Sequence, residues 1–238
     1  MRKAWQGSIV AIVTPFNIDG SIDYTAFDNL IDFHLKNETD GIVVCGTTGE
    51  AATLTKKEYA ELIKHTVEKV NKRIPVIAGS GTNSTSEAIE NSCLAESLGV
   101  DAILVVSPYY NKPTRKGLKD YFSQISKAVT VPIILYNVPG RTSSNISAEI
   151  TLRLAHDFKN IVAIKEASGD MVQVMQILKD KPKDFSVLSG DDALTFPMIM
   201  CGAEGVISVI ANAFPKEFSY MVKNAMKGNR KKARTVHY

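Results

Sequence analysis

The sequence predicts an α/β protein of the (β/α)8, or TIM-barrel, class, folded as a single domain over residues 1–238. Three observations predict it. Eight short apolar runs recur along the chain, and stretches with apolar residues at helical period fill the intervals between them. The repeat averages about 30 residues, which suits one strand, one helix and short loops. A doubly wound open sheet is the rival arrangement, but no G-x-G-x-x-G follows the first run, and no linker-like segment divides the chain.

The first strand is expected over 8–13, where Ile9, Val10, Ile12 and Val13 suit a buried pleated surface, and a helix over 24–36 follows. The second strand, 41–45, leads to a helix over 56–70 whose start is marked by Thr55 and Glu58 at capping-box spacing. The third, 75–79, precedes a helix over 86–98, with Ser84 and Glu87 at the same spacing. Strand 102–106 with helix 117–129, strand 132–136 with helix 148–156, and strand 161–165 with helix 171–179 make the next three units. Strand 186–189 is followed by a helix over roughly 192–200, and strand 205–209 opens the eighth unit. After Phe214-Pro215 one helix is expected to close the barrel, and a basic, helix-like stretch then runs to Tyr238 with no stop signal.

Composition narrows the function classes. A net charge of +3 is too small to argue for nucleic acid or membrane surfaces. Lys223, Lys227, Arg230, Lys231, Lys232 and Arg234 crowd the carboxyl end, and they read as a solvated helix face or frayed tail. Cys45, Cys93 and Cys201 are an odd, widely spaced set, expected to be reduced and mostly buried. Residues 1–5 carry no signal-peptide core, and no segment reaches the ~20 apolar residues of a membrane helix, so a cytoplasmic protein is expected.

Lys165 stands out because it lies in Ile161-Val162-Ala163-Ile164-Lys165-Glu166, a run otherwise suited to a buried strand. Alternation puts Ala163 and Lys165 on one face and Val162, Ile164 and Glu166 on the other. With the small-residue face inward, the amine projects from the strand's carboxyl end, where barrel enzymes work. Burial and nearby cations disfavour an ammonium and leave more neutral amine to attack a carbonyl. An isolated strand of this kind more often carries a snorkelling or ion-paired lysine. The other strand ends tip the balance toward chemistry.

Those ends are polar. The second strand runs into Gly46-Thr47-Thr48-Gly49-Glu50, whose glycines let backbone amides approach an anion, although a Gly-rich turn with capping threonines is the more common use of such a segment. The fourth ends in Tyr109-Tyr110-Asn111, the fifth in Tyr136-Asn137-Val138-Pro139-Gly140-Arg141 and the seventh in Ser189-Gly190-Asp191-Asp192. The tyrosines serve equally as packing residues with a wet hydroxyl, and Arg141 equally pairs with a loop carboxylate or receives a substrate. Asp191 and Asp192 are read as caps of the seventh helix. His34, His65 and His156 fall in predicted helices and His237 in the tail, so zinc chemistry is disfavoured and no metal site is expected. No G-x-S-x-G elbow supports a serine hydrolase. A strand-borne amine, hydroxyls to move protons and an arginine for a carboxylate suit imine chemistry on an oxo acid.

With these motifs together, the chain from Gly7 to about Ala225 resembles the dihydrodipicolinate synthase family of pyruvate-dependent class I aldolases, a superfamily that includes N-acetylneuraminate lyase. The resemblance implies that Lys165, in Ile164-Lys165-Glu166-Ala167-Ser168, is the Schiff-base lysine and that Tyr136 moves protons at the imine. It further implies that Thr47 and Tyr110 complete a proton relay, with Tyr110 delivered by a neighbouring subunit of a homodimer or homotetramer. Thr48 belongs to the loop that resembles the family's pyruvate-carboxylate loop, and the backbone around Gly190 and Ile207 lines the pyruvate site. Arg141 is implied to receive the carboxylate of L-aspartate 4-semialdehyde, where sialic acid lyases usually have an apolar residue.

The implied reaction condenses pyruvate with L-aspartate 4-semialdehyde in lysine and diaminopimelate biosynthesis, through a covalent imine on Lys165 and without a cofactor. The alternatives are another pyruvate-dependent aldolase, such as N-acetylneuraminate lyase, and a non-catalytic barrel that binds oxo acids. Family members continue into a further helical region, so relative to them this chain is expected to be truncated at its carboxyl end. Phe214, Phe218, Met221 and Val222 are then expected to contribute to an exposed apolar surface.

Overall fold

All eight predicted runs form strands, because each is apolar enough to be covered on both faces and short enough to cross the barrel once. In a computed structural model that describes residues 5–238 the strands are β1 (Gly7–Ala11), β2 (Gly41–Val44), β3 (Val76–Gly79), β4 (Ala102–Val106), β5 (Ile133–Asn137), β6 (Ile161–Glu166), β7 (Ser186–Ser189) and β8 (Gly205–Ser208). Each pairs in parallel with the next, and β8 returns to β1, so among the described residues the barrel has no open edge. The reading of residues 1–4 lies outside the described residues. Strand β1 ends two residues before the predicted end because the Val13 amide is taken by Asn212 Oδ1 (3.1 Å), while Asn212 Nδ2 donates to Ala11 O (2.8 Å). One side chain thereby pins the seam where the barrel closes.

The helices are α1 (Tyr24–Lys36), α2 (Lys56–Val70), α3 (Thr85–Ser97), α4 (Arg115–Ala128), α5 (Pro139–Thr142), α6 (Ala148–Asp157), α7 (Met171–Asp180), α8 (Thr195–Met200), α9 (Pro215–Met226) and α10 (Arg230–His237). Thr55 and Glu58 form the predicted capping box, with bonds in both directions (3.2 and 2.8 Å). Ser84 accepts from Glu87 N at 3.4 Å, and its hydroxyl also meets that of Ser86. Two helices depart from expectation. The segment expected as one helix over 192–200 splits into a 3-10 turn, Asp192–Leu194, and α8, whose Pro197 sits in the first turn, where no amide partner is lost. The loop after β5 winds into α5, with Pro139 at its start.

Side-chain alternation divides the core into two layers. Ile9, Ala11, Val43, Ile77, Leu104, Ile134, Leu188 and Ile207 fill the barrel, whereas Val10, Ile42, Val44, Ile103, Leu135 and Ile164 pack outward under the helices. Val162 corrects the sequence reading. Opposite Ile133 and Ile134 the strand presents Ile161 and Ala163, so Val162 is an extra residue in a bulge, and it packs in the inner cluster instead of facing outward with Ile164.

Two further expectations change. Met221 and Val222 are buried with Ile199, Val206, Ala225 and Ala233, because α9 lies against β8 and α10 covers α9, whereas Phe214 is exposed. Cys45 is buried, but Cys93 is exposed on α3 and Cys201 in the turn after α8. No helix among the described residues is long and apolar enough to cross a membrane.

Candidate active site

The carboxyl ends of β5 and β6 bring Tyr136 and Lys165 together as register partners, and Leu188 of β7 stands beside Lys165 on its other side. Lys165 is 4% exposed, and its Nζ lies 4.3 Å from the centre of the Tyr136 ring. Burial is the main cause that lowers the amine's pKa from 10.5 to about 8, the Asp192 carboxylate works against that fall, and the Arg141 guanidinium adds to it. Near pH 8 the neutral and charged forms of this amine are therefore present in similar amounts. Tyr136 is held above the ordinary tyrosine range by burial, while an interaction with the Thr47 hydroxyl and the charge of Arg141 pull the other way. It remains a phenol that can give up a proton and take it back.

Above this pair opens a cavity of about 550 Å³ whose wall includes Thr47, Tyr109, Tyr136, Val138 and Arg141, and which continues toward Glu87 and Glu90 on α3. Lys165, Thr48, Gly190, Ile207 and Tyr110 do not line it. Lys165 is covered, Ile207 is fully buried in β8, and Tyr110 is 88% exposed at positive φ. Tyr136 belongs both to the wall and to the surroundings of Lys165, so it links cavity and amine. Arg141, from the unpredicted helix α5, projects no side-chain bond to another residue and remains a free cation at the mouth among the described residues.

The loop after β2 is built as expected, although fewer of its amides are free. Those of Gly49, Glu50 and Ala51 bond to Gly46 O and Thr47 O within the loop. Among the described residues nothing accepts from the amides of Thr47 and Thr48, which leaves them available to an anion. Gly49 is required by space. A Cβ there would lie 2.9 Å from Ile12 O and 3.3 Å from Thr14 Oγ1, and Thr14 already donates to Gly49 O (2.8 Å).

The two aspartates separate. Asp191 caps the 3-10 turn by accepting from Ala193 N (3.0 Å), as expected. Asp192 does not cap that helix. Its Oδ2 accepts from Val209 N (3.1 Å) and Ile210 N (2.8 Å), tying the end of β7 to the end of β8, while Oδ1 is buried without a partner among the described residues. Its influence on Lys165 makes it a site residue that sequence reasoning missed, since the partners lie 17 and 18 residues away.

Residues 4–238 match the model of the Dihydrodipicolinate synthetase family. The 4-hydroxy-tetrahydrodipicolinate synthases of Geobacter metallireducens and Phocaeicola vulgatus are 52% and 50% identical over 233 residues, which is 98% of this chain and 80% and 78% of theirs. The crystal structure of dihydrodipicolinate synthase from Aquifex aeolicus superposes with a TM-score of 0.96 at 48% identity, covering 98% of this chain and 80% of that one. The chloride-inhibited dihydrodipicolinate synthase from Acinetobacter baumannii, complexed with pyruvate, has a TM-score of 0.95 at 45% identity, covering 98% of this chain and 79% of that one. Similarity of this extent accompanies the same closed barrel and spans the strand ends that carry the site. The chain belongs to the dihydrodipicolinate synthetase family.

Proposed function

We propose that the chain is a 4-hydroxy-tetrahydrodipicolinate synthase that joins pyruvate to L-aspartate 4-semialdehyde through a Schiff base on Lys165. One observation carries this reading beyond family membership: a nearly fully buried lysine, with its pKa brought down to about 8, lies against the ring of Tyr136 at the mouth of the barrel. At pH 8 about half of such amines are neutral, against roughly three in a thousand for an ordinary lysine. Neutral Nζ adds to the ketone of pyruvate and water leaves. The protonated imine then withdraws electrons and makes the methyl group acidic.

Tyr136 carries the protons of imine formation and of enamine generation, with Thr47 orienting its hydroxyl and Tyr110 of a second copy linking it to solvent. The pyruvate carboxylate sits on the loop of Thr47 and Thr48, against the backbone of Gly190 and Ile207. Arg141 receives the carboxylate of the semialdehyde as the enamine carbon attacks its aldehyde. The substrate's own amine then displaces Lys165 as the ring closes. The imine is its own electron sink, so the scheme uses no cofactor.

Borohydride reduction in the presence of pyruvate tests the reading. A stable adduct mapped to Lys165 and absent from Lys165→Ala protein is expected, and an unmodified Lys165 peptide overturns it. Turnover of L-aspartate 4-semialdehyde without cleavage of N-acetylneuraminate separates the synthase from a sialic acid lyase.

A further inference from the structure

One residue beyond Tyr136 and Lys165, strands β5 and β6 carry Asn137 and Glu166, which are register partners in the same way. Alternation sends the first pair into the barrel and the second pair outward under the helices. Both outward residues are buried, Asn137 completely and Glu166 to 2% exposure. No cation pairs with the Glu166 carboxylate among the described residues. It instead collects neutral donors: Asn137 Nδ2 (3.1 and 3.2 Å), Gln173 Nε2 of α7 (3.0 Å) and the Ser168 amide (2.7 Å). Asn137 in turn donates to Asn145 Oδ1 (2.8 Å) and accepts from Ile146 N (2.8 Å), and Asn145 donates to Gln173 Oε1 (2.9 Å).

A buried carboxylate is a costly way to join two strands, since apolar residues of similar volume commonly serve stability as well or better. The placement of this one answers a problem specific to β5 and β6. Their pairing is irregular at Ile133 and Ile134, where Val162 is the extra residue, so regular pairing below the bulge does not enforce register above it. A slip of one residue above the bulge would turn Lys165 out of the barrel and Glu166 into it. The Asn137–Glu166 contact lies on the catalytic side of the bulge.

We propose that Glu166 is a positioning residue: with Asn137 it locks the register of β5 and β6 above the bulge, and so holds the Lys165 amine against the Tyr136 ring. The inference rests on the reading of Lys165 as the imine-forming residue. Asn160, at the opposite end of β6, supplies the control. It makes a comparable clamp, donating to Ser126 O (2.9 Å) and Val129 O (3.0 Å), but below the bulge.

The experiment measures the rate of borohydride-trapped pyruvate adduct on Lys165 across pH, with melting temperature, for the wild type, Glu166→Gln, Asn137→Ala and Asn160→Ala. Displacement of a reacting group by about 1 Å costs up to about 100-fold in rate, so Glu166→Gln and Asn137→Ala are expected to slow trapping about 10- to 100-fold. Their trapping midpoint is expected to move to higher pH, because a loosened lysine regains water. Loss of an acidic neighbour acting only through its charge would move it to lower pH. Asn160→Ala is expected to melt lower while trapping at the wild-type rate and pH. If Glu166→Gln and Asn137→Ala behave like Asn160→Ala, or shift the midpoint downward, the positioning role is overturned; if Glu166→Gln does not fold, Asn137→Ala decides alone. Failure of the wild type to trap pyruvate is visible before any variant is made, and it overturns the imine reading and this inference together.

Discussion

A Cβ placed on Gly190 would stand 3.0 Å from both Cγ and Cε of Lys165 and 2.7 Å from Cβ of Ala167. The glycine after β7 is therefore the wall against which the stem of the lysine rests. Space, and not a left-handed backbone, requires it. Gly190→Ala is expected to push the Lys165 stem away from Tyr136, costing about 1–3 kcal/mol of stability and slowing pyruvate trapping. Ala167→Gly, which removes the tightest of the three contacts, is expected to restore part of the trapping rate in the double variant. Wild-type trapping by Gly190→Ala would show that the stem has room to move.

The charges around Lys165 set opposite expectations for two variants. The Asp192 carboxylate favours the ammonium, so Asp192→Asn is expected to move the midpoint of the pH–trapping profile below about 8, while Arg141→Ala, which removes a repelling cation, moves it above. Trapping rates measured from pH 6 to about 10 check both signs. Shifts in the same direction for the two variants would contradict the arrangement of charges.

On the proposed reading, Arg141 also receives the second substrate. A charge-assisted bond to a carboxylate is worth about 1.5–3 kcal/mol, so at a pH where Lys165 is neutral Arg141→Ala is expected to lower kcat/KM for L-aspartate 4-semialdehyde by about 10- to 150-fold. Adduct formation with pyruvate persists. Steady-state kinetics beside single-turnover trapping separates the two effects.

His34 makes the fold sensitive to acid. It is fully buried on α1, with Nδ1 3.2 Å from Thr39 Oγ1 and Nε2 without a hydrogen-bond partner among the described residues, and burial lowers its pKa from 6.5 to about 4. Above pH 6.5 the ring is neutral in both folded and unfolded chains, and its packing contributes in full. As pH falls from 6.5 toward 4 the unfolded chain takes up a proton that the folded chain resists. Stability is expected to drop over that window by on the order of 3 kcal/mol. Melting temperatures at pH 7 and pH 4.5 for wild type and His34→Gln check this, the variant losing less on acidification.

Much of this protein was legible locally. Strands of four to six residues, and helices opened by Thr55 or Ser84, depend on period and on caps within three residues, so their signals sit inside each segment. Lys165 was conspicuous for the same reason, as a charge in a run otherwise fit for burial. Tertiary structure alone decided the rest. Val162 faces inward because β5 and β6 pair with an extra residue, and Asp192 binds amides 17 and 18 residues away instead of capping its own helix. Arg141 was expected at the end of the fifth strand, but the helix that carries it has four residues, too short for any periodic signal. Glu166, placed by alternation on the face away from Lys165, finds its partners only when α7 and the segment before α6 close over it. Each of these depends on which strand ends and helices become neighbours when the barrel closes, as when Asn137 meets Glu166 from 29 residues away, and periodicity within one segment does not report that.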